Sequence, residues 1–180
     1  MLDSRGELVG IVSDKDLLHA SPSPVTSLSV WEITELLYML KVEKVLTPKV
    51  ITASEDTPLE EAALIMADSG IGGLPVMRGN TLIGIITKAD LFKAFLQLLG
   101  GRRSGVRVTV SATGTKGTLA KIANSISGAG GDIVGLGLSE VADTTGMNWQ
   151  ITFKVQDVPK DKLIEAIRPA VHAVLDVREV

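Results

Sequence analysis

Two short polar motifs are the residues of this chain best suited to chemistry. Ser13 precedes Asp16, and Thr87 precedes Asp90, each pair being three positions apart. A hydroxyl and a carboxylate at this spacing form a capping box at a helix start, which is one interpretation of both motifs. The other is ligand binding, because helix N–H groups attract phosphate and a nearby carboxylate can accept from ribose hydroxyls. The two interpretations do not exclude each other.

An internal repeat contains both motifs. Residues 6–17 and 80–91 align without a gap, and each copy reads as a turn, an apolar strand with one glycine, and a helix. Self-similarity of this kind indicates a duplicated structural unit. Only the second copy is preceded by a β-branched run, Val50–Thr52, and by a helix that Thr57 and Glu60 are placed to cap. We therefore expect the first copy to lack its first strand, helix and second strand.

Linkers separate these segments. Ser21–Pro24 reads as a linker, and Ser29 opens a helix with an apolar face on which Trp31 is expected to pack. The glycine- and arginine-rich residues 100–105 indicate a domain boundary.

The second half follows a different pattern. Residues 106–111 alternate between valine and polar residues, which predicts a strand with one buried face. The helical and alternating segments that follow give the order strand, helix, strand, strand, helix, strand. Gly135 and Gly137 are expected to leave one face of the second of these strands bare. This split βαββαβ arrangement places both helices on one face of an antiparallel sheet.

Composition excludes several classes of function. The net charge of −3 and the pI near 5.4 argue against nucleic-acid binding, which needs clustered basic residues. The chain has no cysteine, which fits a reducing compartment, and no apolar run long enough for a membrane span. Charged residues follow Met1 closely, where a signal peptide would need an apolar core. We expect a cytoplasmic protein with no nucleic-acid or membrane partner.

The second copy of the repeat resembles the cystathionine β-synthase (CBS) domain. The resemblance rests on the order and spacing of residues 82–91 and of Gly73–Val76 upstream, and residues 8–18 match the tail of a further copy. It implies paired domains around clefts that bind AMP, ATP or S-adenosylmethionine. By this resemblance Asp90 holds the ribose and Thr87 the phosphate, and these two residues are the centre of the one complete site. Asp16 and Ser13 have the same roles in the other copy, whose adenine-binding strand and loop are expected to be missing. The residues implied around the adenine are Ile51, Thr52, Gly73, Leu74 and Pro75.

The second half resembles the ACT domain, a small amino-acid-sensing fold. The resemblance rests on the element order, on Gly117–Leu119 at the first helix and on Gly131–Ile133 at the second strand. It implies an effector site between two such domains. The implied contacts are Gly114, Lys116, Gly117, Thr118, Leu119, Asp132 and Ile133. A CBS pair followed by an ACT domain is similar to the layout of the acetoin-utilisation proteins of the AcuB type.

These observations predict an α+β protein with α/β-type CBS units and a ferredoxin-like ACT domain. The predicted segments are a remnant of a first CBS domain (1–20), a linker and helix (21–43), a second CBS domain (44–99), a linker (100–105) and an ACT domain (106–180). We expect a homodimeric, non-catalytic sensor with an adenine nucleotide or S-adenosylmethionine as regulatory ligand, a possible amino-acid effector, and no metal or obligatory cofactor. The alternative is a ligand-free dimerisation module. An enzyme is the least favoured class, because no nucleophile, metal cluster or acid–base pair can be named.

Overall fold

The chain divides into two compact units, Met1–Leu91 and Phe92–Val180. The structure, a computed structural model, describes residues 1–21, 27–143 and 146–180. The predicted linker Ser21–Pro24 falls almost wholly outside these residues. Among the helices described, none is both long and apolar enough to cross a membrane.

The first unit contains helices and a small three-stranded sheet. Its elements are α1 (Asp14–Ala20), α2 (Val30–Met39), a 3-10 turn (Val42–Lys44), β1 (Ala53–Ser54), α3 (Leu59–Asp68), β2 (Gly73–Arg78) and β3 (Thr81–Thr87), and α4 (Lys88–Leu98) begins in this unit. The sheet order is β1-β2-β3, with β1 parallel and β3 antiparallel to β2.

The core of the first unit forms where α3 packs on β2. Ala62 and Met66 lie one helical turn apart, and both are buried with Leu74 of β2. The predicted capping box of Thr57 and Glu60 is wrong. Helix α3 begins at Leu59 without a side-chain cap, because the Thr57 hydroxyl accepts a hydrogen bond from the Ser54 N–H at 3.0 Å instead.

The strand predicted at Val50–Thr52 is also wrong, since the strand consists of Ala53 and Ser54. Ala53 is buried in the core, whereas Ile51 and Thr52 are exposed. The burial of a small side chain therefore outweighs the β-propensity of the branched residues before it.

The first copy of the repeat does not form the predicted strand. Its backbone makes two isolated antiparallel bridges, Leu2 to Leu8 and Ile11 to Thr47. A strand requires a neighbour along its length, and the described part of this segment has a partner only at these points. Helix α1 nevertheless starts directly after Ser13, as the motif predicts.

Helix α2 starts as predicted but does not pack as predicted. Ser29 caps it through a capping box with Glu32, yet no residue of the helix is buried. Trp31 is 86% exposed, so its predicted place on a packing surface is wrong. The cause is that no described element of the first unit covers the apolar side of this helix.

The second unit has the βαββαβ order. After the end of α4, its elements are β4 (Val106–Thr113), α5 (Thr118–Gly128), β5 (Asp132–Asp143), β6 (Gly146–Gln156), α6 (Lys160–Ile167), a 3-10 turn (Arg168–Ala170) and β7 (Ala173–Glu179). The sheet order is β5-β6-β4-β7 with antiparallel pairing throughout, so β5 and β7 are the edges.

Both helices of this unit pack on one face of the sheet. The alternate residues of β4 and β6 and the inner sides of α5 and α6 form one core, in which Phe153, Ile122 and Leu163 have no exposed surface. The prediction that the Gly135–Gly137 side of β5 is bare is wrong for Gly135. This residue is buried, and a Cβ there would overlap the Leu99 carbonyl.

Candidate functional site

A cavity of about 560 Å³ lies within the first unit and is lined by residues from both copies of the repeat. The first copy contributes Ser13 and Asp16, and the second contributes Ile85 and Lys88. The segment before the second copy contributes Ile51 and the Gly70–Gly73 turn. The cavity lies in the size range of small-molecule sites. The structure thus brings together four of the predicted nucleotide contacts, namely Ser13, Asp16, Ile51 and Gly73.

A short backbone contact positions the Ser13 motif at this cavity. Ile11 and Thr47 exchange hydrogen bonds of 3.0 and 2.8 Å, which fixes the chain two residues before Ser13. Gly10 permits the approach, because a Cβ at this position would lie 2.5 Å from Leu46 Cδ1 and 3.1 Å from the Thr47 carbonyl oxygen. The first copy is therefore held against the second copy without forming a sheet.

The carboxylate of Asp16 is held by hydrogen bonds from Ser13. Its Oδ2 accepts hydrogen bonds from the Ser13 N–H and hydroxyl, both at 2.7 Å. The hydroxyl bond is the larger cause of a lowered pKa for Asp16, followed by the backbone bond. Within the described residues, no hydrogen bond to Oδ1 is found. One carboxylate oxygen thus remains available to accept from a ligand.

The second motif has the same geometry in a different place. Asp90 Oδ2 accepts from the Thr87 N–H at 3.1 Å and from the Thr87 hydroxyl at 2.6 Å, which caps α4. Thr87 and Asp90 do not line the 560 Å³ cavity, although Lys88 between them does. Both motifs therefore begin helices, but only the Ser13–Asp16 motif lines the cavity.

The remaining predicted adenine contacts lie apart from this cavity. Leu74 is fully buried in the core of the first unit, and Thr52 is exposed. Pro75 borders another cavity, of about 420 Å³, with Leu8, Gly10 and residues of β3.

Three lysines at the cavity were not identified from the sequence. Lys15, Lys49 and Lys88 line it together with Asp14 and Asp16. Lys15 and Lys88 lie in the first turns of α1 and α4. A signal was available in the sequence, because a cation in the first turn opposes the helix dipole and needs another reason to be there.

The predicted effector residues of the second unit fall into two groups. Gly114, Lys116, Gly117, Thr118 and Leu119 lie at the end of β4 and the start of α5, while Asp132 and Ile133 begin β5. Ile133 and Val106 both pair with Val155, so the second group is level with the start of β4. The groups are separated by roughly the length of β4, about 25 Å for eight residues. One unit alone does not bring them together.

Comparison with known proteins gives consistent matches. The CBS domain profile matches residues 42–97. A CBS domain-containing protein of Dictyostelium discoideum is 33% identical over 100 residues, which cover 55% of this chain and 69% of that protein.

Two solved structures are similar over about the same share of the chain. A CBS domain pair in complex with 5′-methylthioadenosine and S-adenosyl-L-methionine is 29% identical and covers 57% of this chain and 69% of its own, with a TM-score of 0.38. A protein from Vibrio cholerae assigned to acetoin utilization is 31% identical and covers 56% and 67%, with a TM-score of 0.44. From the sequence match over two thirds of the Dictyostelium protein, the chain belongs to the family of CBS-domain proteins.

Proposed function

We propose that this chain is a cytoplasmic, non-catalytic regulatory module that binds an adenosyl ligand in the 560 Å³ cavity of its first unit. The observation that carries the proposal is the meeting of the Ser13–Asp16 motif with Ile51 and the Gly70–Gly73 turn around one cavity. The ligand class is the one that resemblance to the CBS family implies. The second unit is proposed to be an ACT domain on the basis of its βαββαβ order.

Asp16 is the proposed ribose contact. Its Oδ2 is occupied by Ser13, which fixes the orientation of the carboxylate. The Oδ1 atom of the same carboxylate can then accept hydrogen bonds from the ribose hydroxyls. Hydrogen bonds to an ionised acceptor are roughly twice as strong as neutral ones. This assignment differs from the expectation of a site centred on Asp90, because Asp90 does not line the cavity.

The adenine is proposed to lie between apolar side chains and glycine backbone. Ile11, Ile51, Ile71 and Ile85 all line the cavity, and their aliphatic surfaces suit the faces of a purine ring. The Gly70–Gly73 turn offers backbone N–H and C=O groups, and three of its four residues have no side chain to cover them. This arrangement is common in ligand sites, where an apolar lining is combined with a few placed polar groups.

The lysines favour a phosphorylated ligand. Lys15, Lys49 and Lys88 place three ammonium groups around the cavity, against the carboxylates of Asp14 and Asp16. A nucleotide phosphate can be neutralised by these groups, whereas the sulfonium of S-adenosylmethionine would be repelled. We therefore rank AMP, ADP and ATP above S-adenosylmethionine.

Calorimetry on the full chain tests the proposal. AMP, ADP, ATP, NADH and S-adenosylmethionine are titrated into the wild type, Asp16→Asn and the matched control Asp90→Asn. We expect Asp16→Asn to weaken nucleotide binding by about tenfold or more, as for loss of one charge-assisted hydrogen bond, and Asp90→Asn to stay within about threefold. The proposal fails if none of the compounds binds, or if Asp16→Asn binds like the wild type.

A ligand-free dimerisation module is the second candidate, and the exposed apolar surface favours it. Trp31 and Tyr38 on α2 are 86% and 91% exposed, which is unusual for a soluble monomer. A homodimer would also be needed to bring the two groups of predicted effector residues together into one amino-acid site. Light scattering gives the oligomeric state. A dimer whose melting temperature does not respond to any nucleotide would favour this candidate over the sensor.

A further inference from the structure

The sheet of the second unit has a cavity on the face turned away from α5 and α6. Its volume is about 300 Å³. Leu99, Gly137 and Leu138 line part of it. The polar side chains that line it belong to alternate positions of β4, β5 and β6: Arg107, Ser139, Gln150, Thr152 and Lys154. These residues have no part in the core, which lies on the opposite face.

Three basic residues stand side by side on this face. Lys154 of β6 is the register partner of Arg107 of β4, and Arg107 is the register partner of Arg178 of β7. Like charges directly opposite each other on neighbouring strands destabilise a sheet. One carboxylate, Asp176, lies among them, 3.3 Å from Arg107 and 2.9 Å from Arg178. The cationic row is therefore compensated at the β7 end and not at the Lys154 end.

Lys154 is the residue of this row that requires explanation. Only 8% of its surface is exposed, and its methylene stem lies against Gly100. Within the described residues, no hydrogen bond or ion pair of its ammonium group is found. The ammonium nitrogen itself keeps contact with solvent, since no side-chain nitrogen or oxygen of the described residues is both buried and without a partner. Lys154 lines the cavity, so an occupant of the cavity could pair with its charge.

We infer that this cavity binds a small anion that carries a carboxylate or phosphate group. Lys154 supplies a counter-charge without a protein partner, and Arg107 supplies a planar donor suited to either oxyanion. The Thr152 hydroxyl and the Gln150 amide supply neutral hydrogen-bonding groups at the same cavity. This site is independent of the nucleotide cavity, because all of its residues belong to the second unit.

A single-stranded RNA is a less suitable occupant of this face. Sheets that bind single strands stack bases on exposed aromatic side chains. The two aromatic residues of this sheet, Trp149 and Phe153, belong to the core on the helix side. The cavity therefore offers charge and hydrogen bonds without a stacking surface.

The test uses the full chain in buffered 150 mM NaCl, on the order of physiological salt. Inorganic phosphate, citrate and succinate are titrated by calorimetry into the wild type, Lys154→Met and Lys121→Met. Lys121 is an exposed lysine of α5 and serves as the matched control. We expect at least one anion to bind, Lys154→Met to weaken it by about tenfold or more, and Lys121→Met to stay within about twofold.

Amide NMR shifts in the wild type locate the site without relying on a variant. The expected shifts cluster at Ser139, Gln150 and Thr152. Binding of phosphate but not the carboxylates identifies a phosphate ester as the ligand class, and the converse identifies an organic acid. The inference is overturned if no anion binds more tightly than about 10 mM, if Lys154→Met binds like the wild type, or if a uridine oligonucleotide binds this face and the small anions do not.

Discussion

The core of the second unit contains thirteen buried apolar residues among those that the structure describes, whereas the core of the first unit contains five. The second unit surrounds its core with a four-stranded sheet and two helices. In the first unit, Trp31, Tyr38 and Ile85 are each more than half exposed. Burial of one large apolar side chain contributes about 1.5–3 kcal/mol. The second unit is therefore the more self-sufficient fold, and the first unit combines a small core with an open cavity.

Phe153→Ala is the strongest test of this difference. Phe153 is the largest fully buried side chain of the second core, so its truncation should lower the free energy of unfolding of that unit by about 3–5 kcal/mol. Urea unfolding followed by Trp149 fluorescence in a Trp31→Phe background measures it. The control Leu175→Ala removes a side chain that is 53% exposed and should change this free energy by about 0.5 kcal/mol or less. A loss below about 1 kcal/mol for Phe153→Ala would contradict a tightly packed second core.

Gly135→Ala tests the close approach of the chain to β5. A Cβ at this position would meet the Leu99 carbonyl, which belongs to the backbone and cannot rotate away. We expect a loss of about 1–3 kcal/mol, measured by the same unfolding experiment. Gly128→Ala is the matched control, because a Cβ there meets no atom within 4 Å. Equal stabilities of the two variants would mean that Leu99 does not rest on the sheet.

Thr87→Ala probes the first unit. Loss of the hydroxyl that caps α4 should cost about 0.5–2 kcal/mol, measured by thermal unfolding followed by far-ultraviolet circular dichroism. Thr34→Ala is the control, since the Thr34 hydroxyl only bonds the Val30 carbonyl within α2. If Thr87→Ala and Thr34→Ala have the same melting temperature, the Thr87 motif does not act as a cap.

Ser13→Ala should have the smallest effect of these variants, and its effect on the pKa of Asp16 is measured by titration. The Ser13 hydroxyl is the largest cause of the lowered pKa of Asp16, so the variant should move this pKa up toward the ordinary value of 3.8. A carboxyl with a lowered folded-state pKa stabilises the fold above its unfolded pKa and loses that contribution as the pH falls through the folded value. The charge of Asp16 should therefore not vary between about pH 5 and 8. NMR titration of the Asp16 carboxyl provides the measurement, and an unchanged pKa in the variant would contradict the assigned cause.

The sequence was most informative where local and tertiary preferences agree. The βαββαβ order could be predicted because alternation along β4 and β6 matches the faces that are buried. The starts of α1 and α2 could be predicted because Ser13 and Ser29 form capping boxes whichever way the helices pack.

One error is local, because Thr57 bonds to Ser54 three residues earlier instead of capping α3. The other errors arise where a contact distant in sequence decides, as where Leu99 covers Gly135. The site is the clearest case. Periodicity places Asp16 and Asp90 in equivalent motifs, but only the first of them lines the cavity. The Ile11–Thr47 bridge, between residues distant in sequence, holds the segment just before Ser13. The lysines around the cavity were missed although Lys15 and Lys88 lie in first helical turns, where a cation opposes the helix dipole.

The position of β5 at the edge of its sheet affects how the protein must be handled. This strand of twelve residues pairs only with β6, so its outer N–H and C=O groups form a template for another strand. Leu136 and Leu138 are 39% and 44% exposed along it. A long apolar edge of this kind promotes strand-to-strand association as concentration rises. Association between molecules should therefore increase with protein concentration, and Leu138→Lys should reduce it.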